Sequence, residues 1–108
     1  MKVISSQHYV DWEKVEEKKA EMIANETEKI VLPCWMIGEI EGEEMAILAD
    51  GHHRYQAAKE LGIEIEFDFD DDPEGLTGEK ALDARWMDGD WYFVETSDLT
   101  KEHYDLVW

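Results

Sequence analysis

The chain has 108 residues, enough for one domain, and its 28 acidic side chains outnumber the 10 basic ones to give a net charge of −18. So negative a surface repels phosphate backbones and anionic membranes, which excludes ordinary direct DNA binding and membrane association. Hydrophobic residues make up 44% of the chain, enough for a small core. Cys34 is the single cysteine, and we find neither a signal-peptide pattern nor a membrane-spanning apolar run, so we expect a cytoplasmic protein.

The first half of the chain predicts a helix and two strands. Residues 11–25 have helical apolar spacing, with Asp11 as N-cap. The apolar face of this helix is expected to contain Trp12, Val15, Met22 and Ile23. Residues 30–37 predict a strand, in which Pro33 is expected at a sheet edge or a bulge because proline has no N–H. A glycine-containing turn leads into a second strand over residues 45–49.

The second half begins with a turn at Asp50-Gly51, followed by a short helix over residues 53–61 with Gly62 just after its end. Strict alternation of apolar and acidic residues over 63–70 predicts a half-buried strand. Further on, Asp88-Gly89-Asp90 separates two apolar runs and predicts a β-hairpin over about residues 82–95.

The order of these elements predicts an α+β fold, a small mixed sheet with flanking helices. We expect a single domain over residues 1–108, with the hairpin as a C-terminal extension. Ser97 or Thr100 is expected to begin a last short helical piece.

The segment Asp-Gly-His-His-Arg at residues 50–54 is the most informative part of the chain. Free N–H groups and the dipole at a helix N-terminus favour an anion there, and an arginine fork suits phosphate. Gly51 lets a ligand approach the backbone, and the histidines add donors. The alternative is that Asp50 caps the helix and pairs with Arg54, which leaves His52 and His53 as surface polar residues.

The sequence Asp-Gly-His-His-Arg-Tyr-x-Ala-Ala-x-x-Leu-Gly at 50–62 resembles the signature of the ParB N-terminal/sulfiredoxin superfamily, over about residues 12–69. The resemblance implies a nucleotide (ATP, ADP or CTP) whose phosphate contacts Gly51, His52, His53 and Arg54. The motif is closest in form to the free serine kinases of the superfamily, which makes Asp50 a candidate catalytic base and Mg²⁺ ligand.

The chain also departs from the members of this superfamily. His52 stands where sulfiredoxins have their catalytic cysteine, so sulfiredoxin chemistry is not expected. ParB proteins typically have Glu-Arg-Arg where this chain has His52-His53-Arg54, followed by a helix-turn-helix domain for which this chain is too short. Serine kinases are longer and have further substrate-binding elements that we cannot locate here.

Four carboxylates project from one face of the strand predicted over 63–70: Glu64, Glu66, Asp68 and Asp70. One interpretation is a solvated outer face that discourages edge pairing. The other is a row of charges that mimics DNA phosphates in the groove of a basic partner protein. The aromatic residues Trp86, Trp91 and Tyr92 likewise have two interpretations, as a cover for the sheet or as a platform on which a peptide or a base stacks.

We therefore expect a domain that binds a nucleotide or another phosphorylated small molecule, with phosphoryl transfer or nucleotide hydrolysis as a further step. The alternative is an acidic, non-enzymatic inhibitor or DNA mimic of the phage or plasmid type, which acts on a basic DNA-binding protein through the four carboxylates.

Overall fold

A mixed sheet of five strands organises the computed structural model, which describes residues 1–94. In chain order the elements are β1 (Lys2–Ser5), α1 (Trp12–Ala24), β2 (Lys29–Ile40), β3 (Glu43–Leu48), α2 (His52–Leu61), β4 (Glu64–Asp71), α3 (Gly78–Arg85) and β5 (Tyr92–Phe93). The strand order is β4-β2-β3-β1-β5; β2 runs parallel to β4 and β1 to β3, while the pairs β2–β3 and β1–β5 are antiparallel. The expected α+β class, with a mixed sheet and flanking helices, is confirmed.

Each face of the sheet has its own apolar cluster. The larger one joins the sheet to α1 and α2, and its members include Val3, Val15, Met22, Leu32, Cys34, Leu48, Tyr55 and Ala58. The smaller one joins the other face to α3, and its members include Ile4, Ile37, Ile47, Leu82 and Trp91. Since both helices of the larger cluster lie on one face, the start of α2 is held against the sheet and beside α1.

The helix expected over 11–25 forms with the expected cap. The Asp11 carboxylate accepts N–H bonds from Glu13 and Lys14 at 3.0 and 3.4 Å. Its expected apolar face is too wide, however, because Val15 and Met22 are buried whereas Trp12 and Ile23 are exposed. Residues seven apart lie in line along a helix, and the two exposed residues lie to one side of that line.

The alternation over 63–70 is confirmed as a half-buried strand. Phe67 and Phe69 lie beside Leu32 and Cys34 of β2 and pack against the larger cluster. The four carboxylates occupy the opposite face, and all four residues are exposed. Because β4 is an edge strand, these charges lie where they oppose pairing with another sheet.

Pro33 lies neither at an edge nor at a bulge. Strand β2 is an inner strand, and the irregular register with β3 occurs between Met36 and Gly38. The Pro33 carbonyl accepts the Ala49 N–H at 2.9 Å. The N and C=O of a strand residue point to the same side, so the missing proline N–H faces the point where β3 has just ended.

The β-hairpin expected over about 82–95 is wrong for the residues that the structure describes. Residues 78–85 are helical, and β5 pairs with β1 instead of with a strand just before the turn at 88–90. The Asp88 carboxylate accepts N–H bonds from His8 and Tyr9 at 2.6 and 3.0 Å, so the turn at 88–90 holds the segment after β1. The helical piece expected to begin at Ser97 or Thr100 lies outside the described residues.

A part-buried ion pair ties the end of α3 to the loop after β4. The Arg85 guanidinium donates to both carboxylate oxygens of Asp72, at 3.0 and 2.8 Å, and lies 4.6 Å from the centre of the Trp35 ring. The hydrogen bonds from Arg85 hold the pKa of Asp72 below its usual value.

No helix within residues 1–94 is long and apolar enough to cross a bilayer.

Candidate functional site

The turn between β3 and α2 has a backbone that only glycine fits well. Gly51 has φ of +92°, in the left-handed region. A Cβ atom at this position would lie 2.6 Å from Leu32 Cδ2, which belongs to a fully buried core side chain. Gly51 is therefore required by the core beneath the turn, a reason for the glycine that the sequence does not reveal.

Helix α2 begins without a side-chain cap. Gly51 is the residue at the cap position, and no side chain accepts from the first-turn N–H groups. The Asp50 carboxylate accepts the Gly51 N–H at 2.7 Å instead, and Asp50 forms no ion pair with Arg54. The alternative in which Asp50 caps the helix and pairs with Arg54 is therefore wrong on both points.

His52 is a buried residue that ties the start of α2 to the end of β1. Its Nε2 shares a hydrogen bond of 2.6 Å with Ser5 Oγ, and Ser5 Oγ also accepts the Gln7 N–H at 3.0 Å. Burial, with a smaller contribution from neighbouring His53, lowers the pKa of His52 from 6.5 to about 4. His52 is therefore neutral at pH 7, so any contact with an anion would come from its backbone N–H or from Nδ1.

His53 joins the same turn to α1. Its Nε2 accepts the Asp11 N–H at 3.1 Å, which requires that nitrogen to have no proton. The ring proton then lies on Nδ1, where it is available as a donor. The two histidines fix the positions of three elements around the turn, which is a structural role that their surface interpretation does not include.

A cleft of about 310 Å³ lies at this turn. It is lined by Gln7, Lys18, Asp50, Gly51, His52, His53 and Arg54, so the structure brings the five predicted residues together. Its volume is at the lower end of the range for small-molecule sites. A neighbouring groove of about 230 Å³ shares Lys18 and Arg54 with the cleft and adds Lys29 and Glu21. Lys18 pairs with Glu21 at 3.6 Å, and Lys29 pairs with Glu66 at 3.3 Å. Arg54 is therefore the one cation lining these two cavities that has no ion-pair partner among residues 1–94.

Two residues of the cleft, Gln7 and Lys18, were not identified from the sequence. Gln7 follows β1, which the sequence analysis did not predict, and Lys18 is one of several charged residues on the exposed surface of α1. Nothing in the sequence distinguishes Lys18 from Lys19. Only the packing of α1 against α2 places Lys18, and not Lys19, beside Arg54.

Asp50 is the one carboxylate that lines the cleft within the described part of the chain. Residues 1–94 contain no group of three or more histidine, cysteine or acidic side chains that could hold a metal ion by themselves. A Mg²⁺ ion usually takes one or two carboxylates together with substrate phosphates. Asp50 fits that arrangement only when a phosphate supplies further ligands.

The four carboxylates of β4 form a surface apart from the residues that line the cleft. The Glu66 carboxylate is 3.3 Å from Lys29 Nζ, an exposed pair of small energetic value. Of the aromatic residues, Trp91 and Tyr92 are buried as expected for a sheet cover, but Trp86 is exposed. A role for Glu64, Glu66, Asp68 and Asp70 in binding a basic partner stays a prediction.

No protein-family model, curated protein or solved structure matches this chain. Its relation to the ParB/sulfiredoxin superfamily therefore stays a prediction that is based on residues 50–62.

Proposed function

We propose that the cleft at the start of α2 binds the phosphate groups of a nucleotide or of another phosphorylated small molecule. The observation that carries the proposal is Arg54, which has no ion-pair partner within residues 1–94 although acidic side chains outnumber basic ones 28 to 10. The helix dipole opposes a cation in the first turn of a helix. A bound anion would reverse that unfavourable arrangement.

The donors around the cleft suit a phosphate. The uncapped first turn of α2 offers backbone N–H groups to an anion, and the dipole of the helix adds to their attraction. Arg54 supplies a planar fork that matches two phosphate oxygens, and Lys18 supplies a second cation. The resemblance of residues 50–54 to nucleotide-binding members of the ParB/sulfiredoxin superfamily supports the same ligand.

The proposal includes phosphoryl transfer as a further step, in which Asp50 acts on the bound nucleotide. Its carboxylate would hold a Mg²⁺ ion together with the phosphates, or orient the hydroxyl or water that attacks the phosphoryl group. Binding by itself does not need this carboxylate, since an anion is attracted by Arg54, Lys18 and the helix start. Binding and turnover are therefore separable by substitution.

The test is calorimetric titration of the full chain with ATP, ADP, CTP and GTP in the presence of Mg²⁺. Arg54→Ala should weaken binding by about 1.5–3 kcal/mol, the range for a charge-assisted hydrogen bond. Lys18→Ala should also weaken it. Lys19→Ala is the matched control, because Lys19 does not line the cleft and, like Lys18, forms one ion pair within α1. Both lysine substitutions change the net charge equally.

Two results would contradict the proposal. One is that the unmodified protein binds none of these nucleotides. The other is that Lys18→Ala and Lys19→Ala weaken binding equally, which would mean that the ligand responds to overall charge and not to this cleft. Thermal unfolding of each variant should stay close to that of the unmodified protein, because none of the three side chains is buried.

A further inference from the structure

A groove with exposed aromatic side chains adjoins the cleft. Its volume is about 550 Å³, and Tyr9, Trp86 and Met87 border it. Gln7 and His53 border both the groove and the cleft, so the two are adjacent. A ligand whose anionic group occupies the cleft would have the groove as its neighbouring surface.

Several of the exposed apolar side chains of the described residues border this groove. Seven large hydrophobic side chains are exposed within residues 1–94, and three of them border it: Tyr9 at 66%, Trp86 at 57% and Met87 at 49%. Single exposed apolar side chains are ordinary, but several around one concave surface are typical of a binding site.

The backbone on both sides of the groove is held in place. Ser6 Oγ accepts the Met87 N–H at 2.7 Å, and the Asp88 carboxylate accepts the N–H groups of His8 and Tyr9. These bonds join the segment after β1 to the segment after α3. The aromatic side chains are therefore carried by a backbone that needs little ordering when a ligand binds, which favours affinity.

We propose that this groove binds the heterocyclic base of a nucleotide whose phosphates occupy the cleft. The inference rests on the proposed function and specifies its ligand as a nucleotide and not a simple phosphorylated compound. A ligand that uses both surfaces must combine an anionic group with a flat or apolar one, and a nucleotide does so. Any of the nucleotide bases can stack on the face of a tryptophan or tyrosine ring, because every base has a π-face.

The experiment compares ATP, GTP, CTP and UTP with inorganic tripolyphosphate, each titrated into the full chain with Mg²⁺. At least one nucleotide should bind more tightly than tripolyphosphate. Trp86→Ala should weaken nucleotide binding by roughly 5- to 150-fold, as expected for loss of one base–aromatic stack, and leave tripolyphosphate binding within about 2-fold. Tyr9→Ala tests the other side of the groove in the same way, and Trp86→Phe should restore most of the affinity.

The matched control is Trp12→Ala, because Trp12 is 45% exposed and lies outside the groove. Equal binding of nucleotides and tripolyphosphate, with no effect of Trp86→Ala or Tyr9→Ala, would overturn the inference and leave the phosphate site intact. Weakening by Trp12→Ala as large as that by Trp86→Ala would also overturn it. If neither tripolyphosphate nor any nucleotide binds, the inference falls together with the proposed function.

Discussion

Substitution of Gly51 by alanine tests how the core determines the shape of the turn before α2. Two costs add. An L-residue in the left-handed region costs roughly 1–2 kcal/mol, and Gly51 has φ of +92°. The new Cβ would lie 2.6 Å from Leu32 Cδ2, and forcing such extra volume into a packed core costs about 1–3 kcal/mol. We expect Gly51→Ala to lower the free energy of unfolding by about 2–5 kcal/mol.

The assay is denaturant unfolding at pH 7, with Gly62→Ala as the matched control. Gly62 lies at the other end of α2 with φ of +71°, and a Cβ there would meet nothing within 4 Å. Gly62→Ala should therefore show the backbone cost alone, about 1–2 kcal/mol. The difference between the two variants measures the contact with Leu32.

A double-mutant cycle isolates that contact. Leu32→Ala alone should cost about 2–5 kcal/mol, because Leu32 is fully buried. Leu32→Ala combined with Gly51→Ala should cost less than the sum of the single changes by about 1 kcal/mol or more, since the shortened side chain leaves room for the Cβ. Equal effects of Gly51→Ala and Gly62→Ala, together with strict additivity in the cycle, would refute the reasoning.

The remaining predictions concern two side chains at the turn. Between pH 7 and 4 the unfolded chain becomes almost fully protonated at His52, whose ordinary pKa is 6.5, whereas the folded chain, with a pKa of about 4 there, is only about half protonated at pH 4. The free energy of unfolding should therefore decrease as the pH is lowered from 7 to 4, by about 3 kcal/mol more than it does in His52→Gln. Chemical unfolding at each pH measures this difference, and parallel profiles of the two proteins would contradict it. Asp50→Asn should leave nucleotide affinity within a few-fold but abolish phosphate release; undiminished release would exclude a catalytic role for Asp50.

Where the structure agrees with the sequence, the deciding contacts are local. The cap of α1 depends on Asp11 and the N–H groups two and three residues later, and the end of α2 depends on Gly62 with its positive φ. The alternation in β4 is equally local, because successive side chains of a strand point to opposite faces. Such patterns act within a few residues, so the sequence by itself determined these elements and the position of the Asp-Gly-His-His-Arg turn.

The tertiary structure decided what surrounds that turn. Ser5 and His52 are 47 residues apart, and their hydrogen bond exists only because β1 pairs with β3 and lies beside the start of α2. Lys18 lines the cleft because α1 packs on α2. The pairing of β5 with β1 likewise joins distant segments, as do the hydrogen bonds from the segment after β1 to Asp88. Contacts between distant segments are chosen by burial of whole faces and by pairing of strands. A local pattern predicts which face of a helix or strand is buried, but only the packed sheet determines which distant residues contact that face.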